Sequence, residues 1–221
     1  MEIADLQIII PTYRDDLRLR RLLEQLQGLR VIVVDGDQNS DTEALVSDFD
    51  AQYVAAEPSR GGQICRGVEY ADATWLWVLH ADSCLGPDCR HAIREVIAKG
   101  DMVWGRFNIR LPGVPVVARM MNLRSRITQI CTGDQGVFFH RELLDRIGGF
   151  PAQPLMEDIE LCKRLTQEAG NNFVPLAVEI ESSARRWQQK GVLRTIVNMW
   201  WFRLRYFFGA KPEKLYEHYY R

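Results

Sequence analysis

Short apolar runs alternate with amphipathic stretches through the first hundred residues. LQIII (6–10), VIVVD (31–35), QYVAA (51–55) and WLWVLH (75–80) have strand length and are apolar throughout or nearly so. Between them, leucines at 17, 19, 22, 23 and 26 give residues 15–27 a helical pattern of imperfect periodicity. Helices are also expected over 41–49 with Asp41 as cap, over 61–72, and over 87–99 with Pro87 in the first turn. Strands apolar on both faces belong in a parallel sheet covered by helices on each side.

The pattern then becomes mixed. MVWGRFNI (102–109) reads as a strand, 115–130 as a basic helix, and GDQGVFF (133–139) as a turn entering a strand. A short helix over 141–147 stops at Gly148-Gly149. An acid-led helix (157–168), a strand (172–180) and a long helix (189–208) complete the expectation. The fold class is therefore α/β, with a parallel half and a mixed half, and no repeat or long linker divides it.

In such sheets ligands bind beyond the carboxyl ends of the strands. Those ends read Pro11-Thr12-Tyr13, Asp35-Gly36-Asp37, Ser59-Arg60-Gly61-Gly62 and His80-Ala81-Asp82. They would gather carboxylates, an arginine and a glycine pair at one edge.

Composition narrows the partners. Lys and Arg number 28 against 29 Asp and Glu, a formal net charge of -1, so no global field attracts nucleic acid and none is expected as partner. Any anion site must be local. The five cysteines (Cys65, Cys84, Cys89, Cys131, Cys162) are odd in number and scattered without a CxxC, which suits reduced thiols in the cytoplasm. Residues 6–13 are too short for a secretory signal and lack a basic lead. No run approaches the roughly 20 apolar residues that span a bilayer.

Each candidate group has two readings. Asp82 can anchor a divalent ion whose other oxygens come from a diphosphate, or Asp82 or Ser83 can cap the helix near Pro87. Asp35 can accept from a ribose or base edge, or sit in a solvated turn. SRGGQ (59–63) places Arg60 and two glycines at a helix N-terminus, which suits phosphate or is an ordinary turn. In MEDIEL (156–161), Glu157 or Asp158 can be a general base, or all three acids can merely favour the helix dipole. GDQG (133–136) can line a substrate pocket or only turn the chain. Arg185-Arg186-Trp187 can clamp phosphate or snorkel at the surface. VLRTIVNMWWFRLRYFFG (192–209) can pack as core or as a subunit contact, lie on a membrane surface, or stack on RNA.

In their order, IIIPTYRDD, VVDGDQNSDT, SRGGQ, VLHADS, GDQGVFF, GGFP…MEDIEL and RRW resemble the family-2 glycosyltransferases of GT-A fold. The resemblance covers residues 6 to about 190 and is nearest to short, soluble bacterial members with an HAD metal motif. It implies a GT-A domain over 1–190 with an aromatic, basic C-terminal helix and tail over 191–221. It also implies an inverting transferase that uses a nucleotide-diphosphate sugar and Mn²⁺ or Mg²⁺. Its acceptor is open among lipid-linked, protein and small-molecule hydroxyls.

Carried over by position, Pro11, Thr12, Tyr13 and Asp15 would border the nucleotide, Asp35 the base or ribose, and Arg60 the base or diphosphate. Ala81 and Asp82 would form the DxD-type motif with Asp82 as metal ligand and His80 as a second. Asp158 would be the base beside Glu157; Arg186 and Trp187, similar to the QxxRW region, would bind the nucleotide sugar; and Gly133, Asp134 and Gln135 would face the acceptor. The chain departs from the family at Arg14 (usually asparagine), Asp15 (usually glutamate), Gly36 and His80 (each usually an acid), and Ser183-Ala184 break the QxxRW pattern. A degenerate binding module or membrane scaffold and a sugar nucleotidyltransferase are the other readings. The location expected is the cytoplasm, with peripheral membrane contact or homodimerisation through the terminal helix left open.

Overall fold

The computed structural model describes residues 5–185, 187 and 191–220. The parallel half consists of β1 (Leu6–Thr12), α1 (Asp16–Gln25), β2 (Arg30–Asp35), α2 (Ser40–Ser47), β3 (Gln52–Ala55), α3 (Arg60–Tyr70) and β4 (Trp75–Val78). Then come β5 (Cys84–Leu85), α4 (Cys89–Ala98), β6 (Trp104–Arg110), α5 (Pro115–Thr128), a 3-10 turn (Gly133–Gln135), β7 (Phe138–His140) and α6 (Arg141–Arg146). The chain continues through α7 (Glu157–Ala169), β8 (Phe173–Glu181), α8 (Val192–Phe207) and α9 (Pro212–Tyr220).

The strands form one twisted sheet in the order β3-β2-β1-β4-β7-β6-β8-β5. β1 pairs in parallel with β2 and β4, and β2 with β3. The short β7 enters antiparallel between β4 and β6, and β6 runs parallel to β8. The first half is parallel and the second mixed, as the apolar runs imply.

Strand alternation sends Ile8 and Ile10 to one face and Ile9 to the other. The first face is covered by Leu19, Leu22 and Leu23 of α1, Val46 of α2 and Ile93 of α4. The second is covered by Ile64 of α3, Leu143 and Leu144 of α6, and Leu161 and Leu165 of α7. Each such side chain taken from water stabilises by roughly 2 kcal/mol. A third, smaller cluster joins Ile109 and Leu111 to Val117, Ala118 and Met121 of α5, with Trp187 and, from α8, Val192, Ile196 and Met199 against it.

Several boundaries move. The strand in WLWVLH ends at Val78, with the Leu79 N–H still donating to the Ile9 carbonyl at 3.0 Å; His80 to Asp82 form a turn closed by the Ser83 N–H donating to the His80 carbonyl at 3.0 Å. α4 begins at Cys89, beyond Pro87, with Asp88 at its cap position and no side-chain cap bond. Neither Asp82 nor Ser83 caps it, so that reading of Asp82 falls away. At α2 the cap is Asn39, whose Oδ1 accepts from the Asp41 N–H, rather than Asp41 itself. The apolar pattern does not predict β5, which is two residues long, or α9, which begins at Pro212 in a stretch without a clear apolar period.

Candidate active site

The strand ends open on a cleft of about 580 Å³. Pro11, Thr12, Tyr13, Asp15, Arg60, His80, Ala81, Asp82, Asp134, Glu157 and Trp187 all line it, although they come from widely separated segments. Met121, Met199 and Tyr216, from α5, α8 and α9, close the other side.

At the end of β1, Arg14 takes a left-handed conformation (φ 51). That turn leaves Tyr13 half-exposed at the rim with the Arg14 guanidinium 5.0 Å from its ring centre. Arg14 Nε donates to Asp37 at 2.8 Å, and both oxygens of Asp15 accept from Arg18 Nη1 at 2.8 Å.

Asp35 differs from expectation. It is fully buried and does not line the cleft. Its Oδ1 accepts from the Asp37 N–H and its Oδ2 from the Asn39 N–H, both at 2.9 Å, and the Tyr53 hydroxyl adds a third bond at 3.2 Å. Burial first, then this carboxylate, pushes the Tyr53 phenol up to about 12. Here Asp35 holds the β2–α2 turn.

Arg60 opens α3 behind its cap, Ser59. Its Nη1 lies 3.5 Å from Glu157 Oε1. Gly61 has a different role from the one its motif suggests. A Cβ there would sit 2.2 Å from the Gln153 carbonyl, so glycine admits the 151–153 backbone, not a ligand. Gln63, the last residue of the SRGGQ stretch, is buried and donates to the carbonyls of Thr12 (2.7 Å) and Val34 (2.8 Å), tying together the ends of β1 and β2.

Asp82 sits at the cleft floor. Burial raises its carboxyl pKa; His80 works against that rise, while Asp134 and Asp15 add to it. Such crowding of carboxylates is what a divalent cation relieves. Among the described residues no three His, Cys, Asp or Glu are arranged to enclose an ion. The donor set therefore fits an ion anchored by Asp82 that takes its remaining oxygens from a diphosphate and water.

His80 does not fit the part of a second ligand. Its Nδ1 is 2.8 Å from Asp134 Oδ1, and its buried Nε2, without a hydrogen-bond partner among the described residues, faces Gly133. A Cβ on residue 133 would come within 2.5 Å of that nitrogen. The ring thus has no open nitrogen for an ion, and it positions Asp134.

α7 is preceded by Met156 at its cap position, which is left-handed (φ 65), a strained conformation at the mouth of the site. Glu157 is almost sealed, and its carboxyl is pushed up to about 7, by burial first and then by Asp158, with Arg60 opposing. Asp158 is half-buried and turns from the cavity wall toward the 3-10 turn. Its Oδ2 accepts from the Gly133 N–H at 3.2 Å and its Oδ1 from the Ile159 N–H at 2.8 Å.

The acceptor trio separates. Asp134 lines the cleft, and Gly133 backs His80. Gln135 is fully buried, its Nε2 donating to Ser125 Oγ at 3.1 Å and to Asn122 Oδ1 at 3.3 Å. It locks the turn to α5 rather than facing an acceptor. Trp187 borders the cleft but is mostly enclosed in the third cluster. Arg186 lies outside the described residues.

A carboxylate-floored cleft at the open ends of a parallel half-sheet, completed by an antiparallel insertion, is the arrangement of the GT-A fold. The profile of glycosyl transferase family 2 matches residues 7–148, and the chain belongs to that family. Its structure is similar to S. aureus TarS 1-349, with TM-score 0.67 and 15% identity over 81% of this chain and 60% of that one. It is also similar to Pyrobaculum calidifontis mannosyltransferase PcManGT in complex with GDP-Man and Mn²⁺ (TM-score 0.64, 19% identity, 90% of this chain and 60% of that one). A third is glucosyl-3-phosphoglycerate synthase from Mycobacterium tuberculosis with Mn²⁺, UDP and glucosyl-3-phosphoglycerate (TM-score 0.59, 14% identity, 80% and 71%). The chain thus spans about 60% of two of these structures. No curated protein matches it.

Proposed function

We propose that the chain transfers a sugar from a nucleotide-diphosphate sugar to an acceptor hydroxyl, with inversion at the anomeric carbon. The carrying observation is that Pro11, Thr12, Tyr13, Asp15, Arg60, Asp82 and Glu157 meet in one cleft. Family membership and the ligands bound in the similar structures, UDP or GDP-Man with Mn²⁺, support this reading. Five free cysteines suit a cytoplasmic location.

Tyr13 borders the base, and Arg60 faces the diphosphate and offsets the charge that develops as it leaves. Mn²⁺ or Mg²⁺ held by Asp82 would supply further charge neutralisation at the diphosphate oxygens. Asp158 removes the acceptor proton while the acceptor oxygen bonds to the anomeric carbon. The bond to the diphosphate breaks with its electron pair on the leaving oxygen. One displacement from the opposite face inverts the configuration.

Asp158 is preferred as base because two backbone N–H groups fix its orientation, while Glu157 is nearly sealed and engaged with Arg60. Glu157 is the second reading, favoured by its place on the cleft wall and a pKa near neutrality. Paired amide variants separate the two. Asp158→Asn should lower transfer by about 10²–10⁴-fold with nucleotide binding kept, and Glu157→Gln far less. The reverse ranking assigns the base to Glu157. Wild-type transfer in both removes the pair from catalysis. Nucleotide binding without turnover in the unaltered protein would instead support the degenerate binding module.

A further inference from the structure

Two acid-free segments carry most of the exposed apolar surface. Residues 112–132 and 182–212 hold ten Lys or Arg and no Asp or Glu, while the rest of the chain holds 18 against 29. A chain of net charge -1 thus concentrates its positive charge in two stretches. Those stretches contain α5 and α8.

Eleven of the fourteen large apolar residues exposed among the described residues lie on or just after these helices. Val116, Met120, Leu123 and Ile127 follow one stripe of α5, and Leu193, Val197, Trp200, Leu204 and Phe207 one stripe of α8. Ile127 is 72% exposed, Leu193 80% and Phe207 82%. Arg119 and Arg126 are exposed on α5, and Arg194 on α8. The opposite faces already have partners. Val117, Ala118 and Met121 pack with Ile196 and Met199 in the third cluster. No described helix is long and apolar enough to cross a membrane.

From this charge segregation we infer that α5 and α8 seat the protein on an anionic lipid surface, lying in the interface with the apolar stripes inserted. A second copy of the chain would set arginine against arginine. RNA would leave the aliphatic residues Val116, Ile127, Leu193 and Val197 in water. The same helices send Met121 and Met199 into the cleft wall. Docking therefore brings the cleft to the lipid surface, and the acceptor hydroxyl belongs to a molecule carried there. This last step rests on the transferase reading; the docking itself does not.

The test uses the full chain with phosphatidylcholine vesicles, with and without phosphatidylglycerol. The anionic vesicles should bind at least tenfold better, salt should weaken the binding, and tryptophan emission should shift to the blue. Trp200→Gln with Trp201→Gln should abolish most of that shift. Arg119→Gln, Arg126→Gln and Arg194→Gln together should weaken binding at least tenfold, with the melting temperature unchanged. Equal binding to both vesicles, or none, overturns the inference. So does a stable dimer that already shields Trp200, or RNA binding that outcompetes the vesicles. Incorporation of labelled donor sugar into a chloroform-soluble product of added membrane lipids tests the acceptor step. Vesicle binding without any nucleotide binding would leave the docking intact and refute the transferase.

Discussion

The two sides of the cleft are built by different means. On the strand-end side, side chains leave the ends of buried strands and are held by backbone geometry and hydrogen bonds, as with Gln63 across β1 and β2. On the other side, Met121, Met199 and Tyr216 come from helices packed on a small cluster. The first side has little freedom, because a change in a strand end disturbs the sheet. The second borrows its shape from helix packing and carries the exposed apolar, basic stripes. A donor site fixed by the sheet and an acceptor side left to the helices would let one fold serve different acceptors.

Glu157 offers the largest way to sharpen that contrast. Its folded-state pKa of about 7 lies above the unfolded value of 4.5, so the native state holds the proton between them. Stability is then greatest below about 4.5 and falls as pH rises toward 7, by on the order of 3 kcal/mol, after which it levels. Glu157→Gln should remove this slope in urea titrations across that range. An unchanged slope would mean that Glu157 is not the group responsible.

Arg60→Ala comes next. It should lower kcat/KM about a hundredfold through lost charge stabilisation, and Arg60→Lys should recover part of it. A variant that alters acceptor KM alone would move Arg60 to the other side of the cleft.

Gly133 joins the two sides, since its Cα abuts His80 and its N–H holds Asp158. Gly133→Ala forces the ring aside and should cost about 1–3 kcal/mol in stability, with a lower kcat. If thermal melts and turnover matched the unaltered protein, the close contact would carry no weight.

The sequence makes the parallel half legible because buried strands are apolar throughout and their polar ends stand out. It also brings out Asp82, just past an apolar strand, and Arg60 and Glu157, each at the first residue of a helix, and all three line the cleft. It does not show that Asp35 and Gln135, whose residue types suit a ligand, are fully buried and hydrogen-bonded within the protein. Gln63 gives no local signal; its role exists only once β1 and β2 are side by side. Arg106 is similar. It is fully buried with no carboxylate partner among the described residues and bridges β6 to α5 by donating to the Asn122 carbonyl at 3.0 Å. Burial lowers its pKa to about 10, and only the folded packing reveals that.

The central claim is that this cleft holds a nucleotide-diphosphate sugar through a metal on Asp82. Calorimetric titration of UDP- and GDP-sugars, with and without Mn²⁺, against the unaltered protein and Asp82→Ala tests it most directly. The account predicts that one donor binds, that Mn²⁺ strengthens its binding at least tenfold, and that Asp82→Ala loses this enhancement while keeping its fold. Identical Mn²⁺ enhancement in Asp82→Ala, or no donor binding in the unaltered protein, would contradict it.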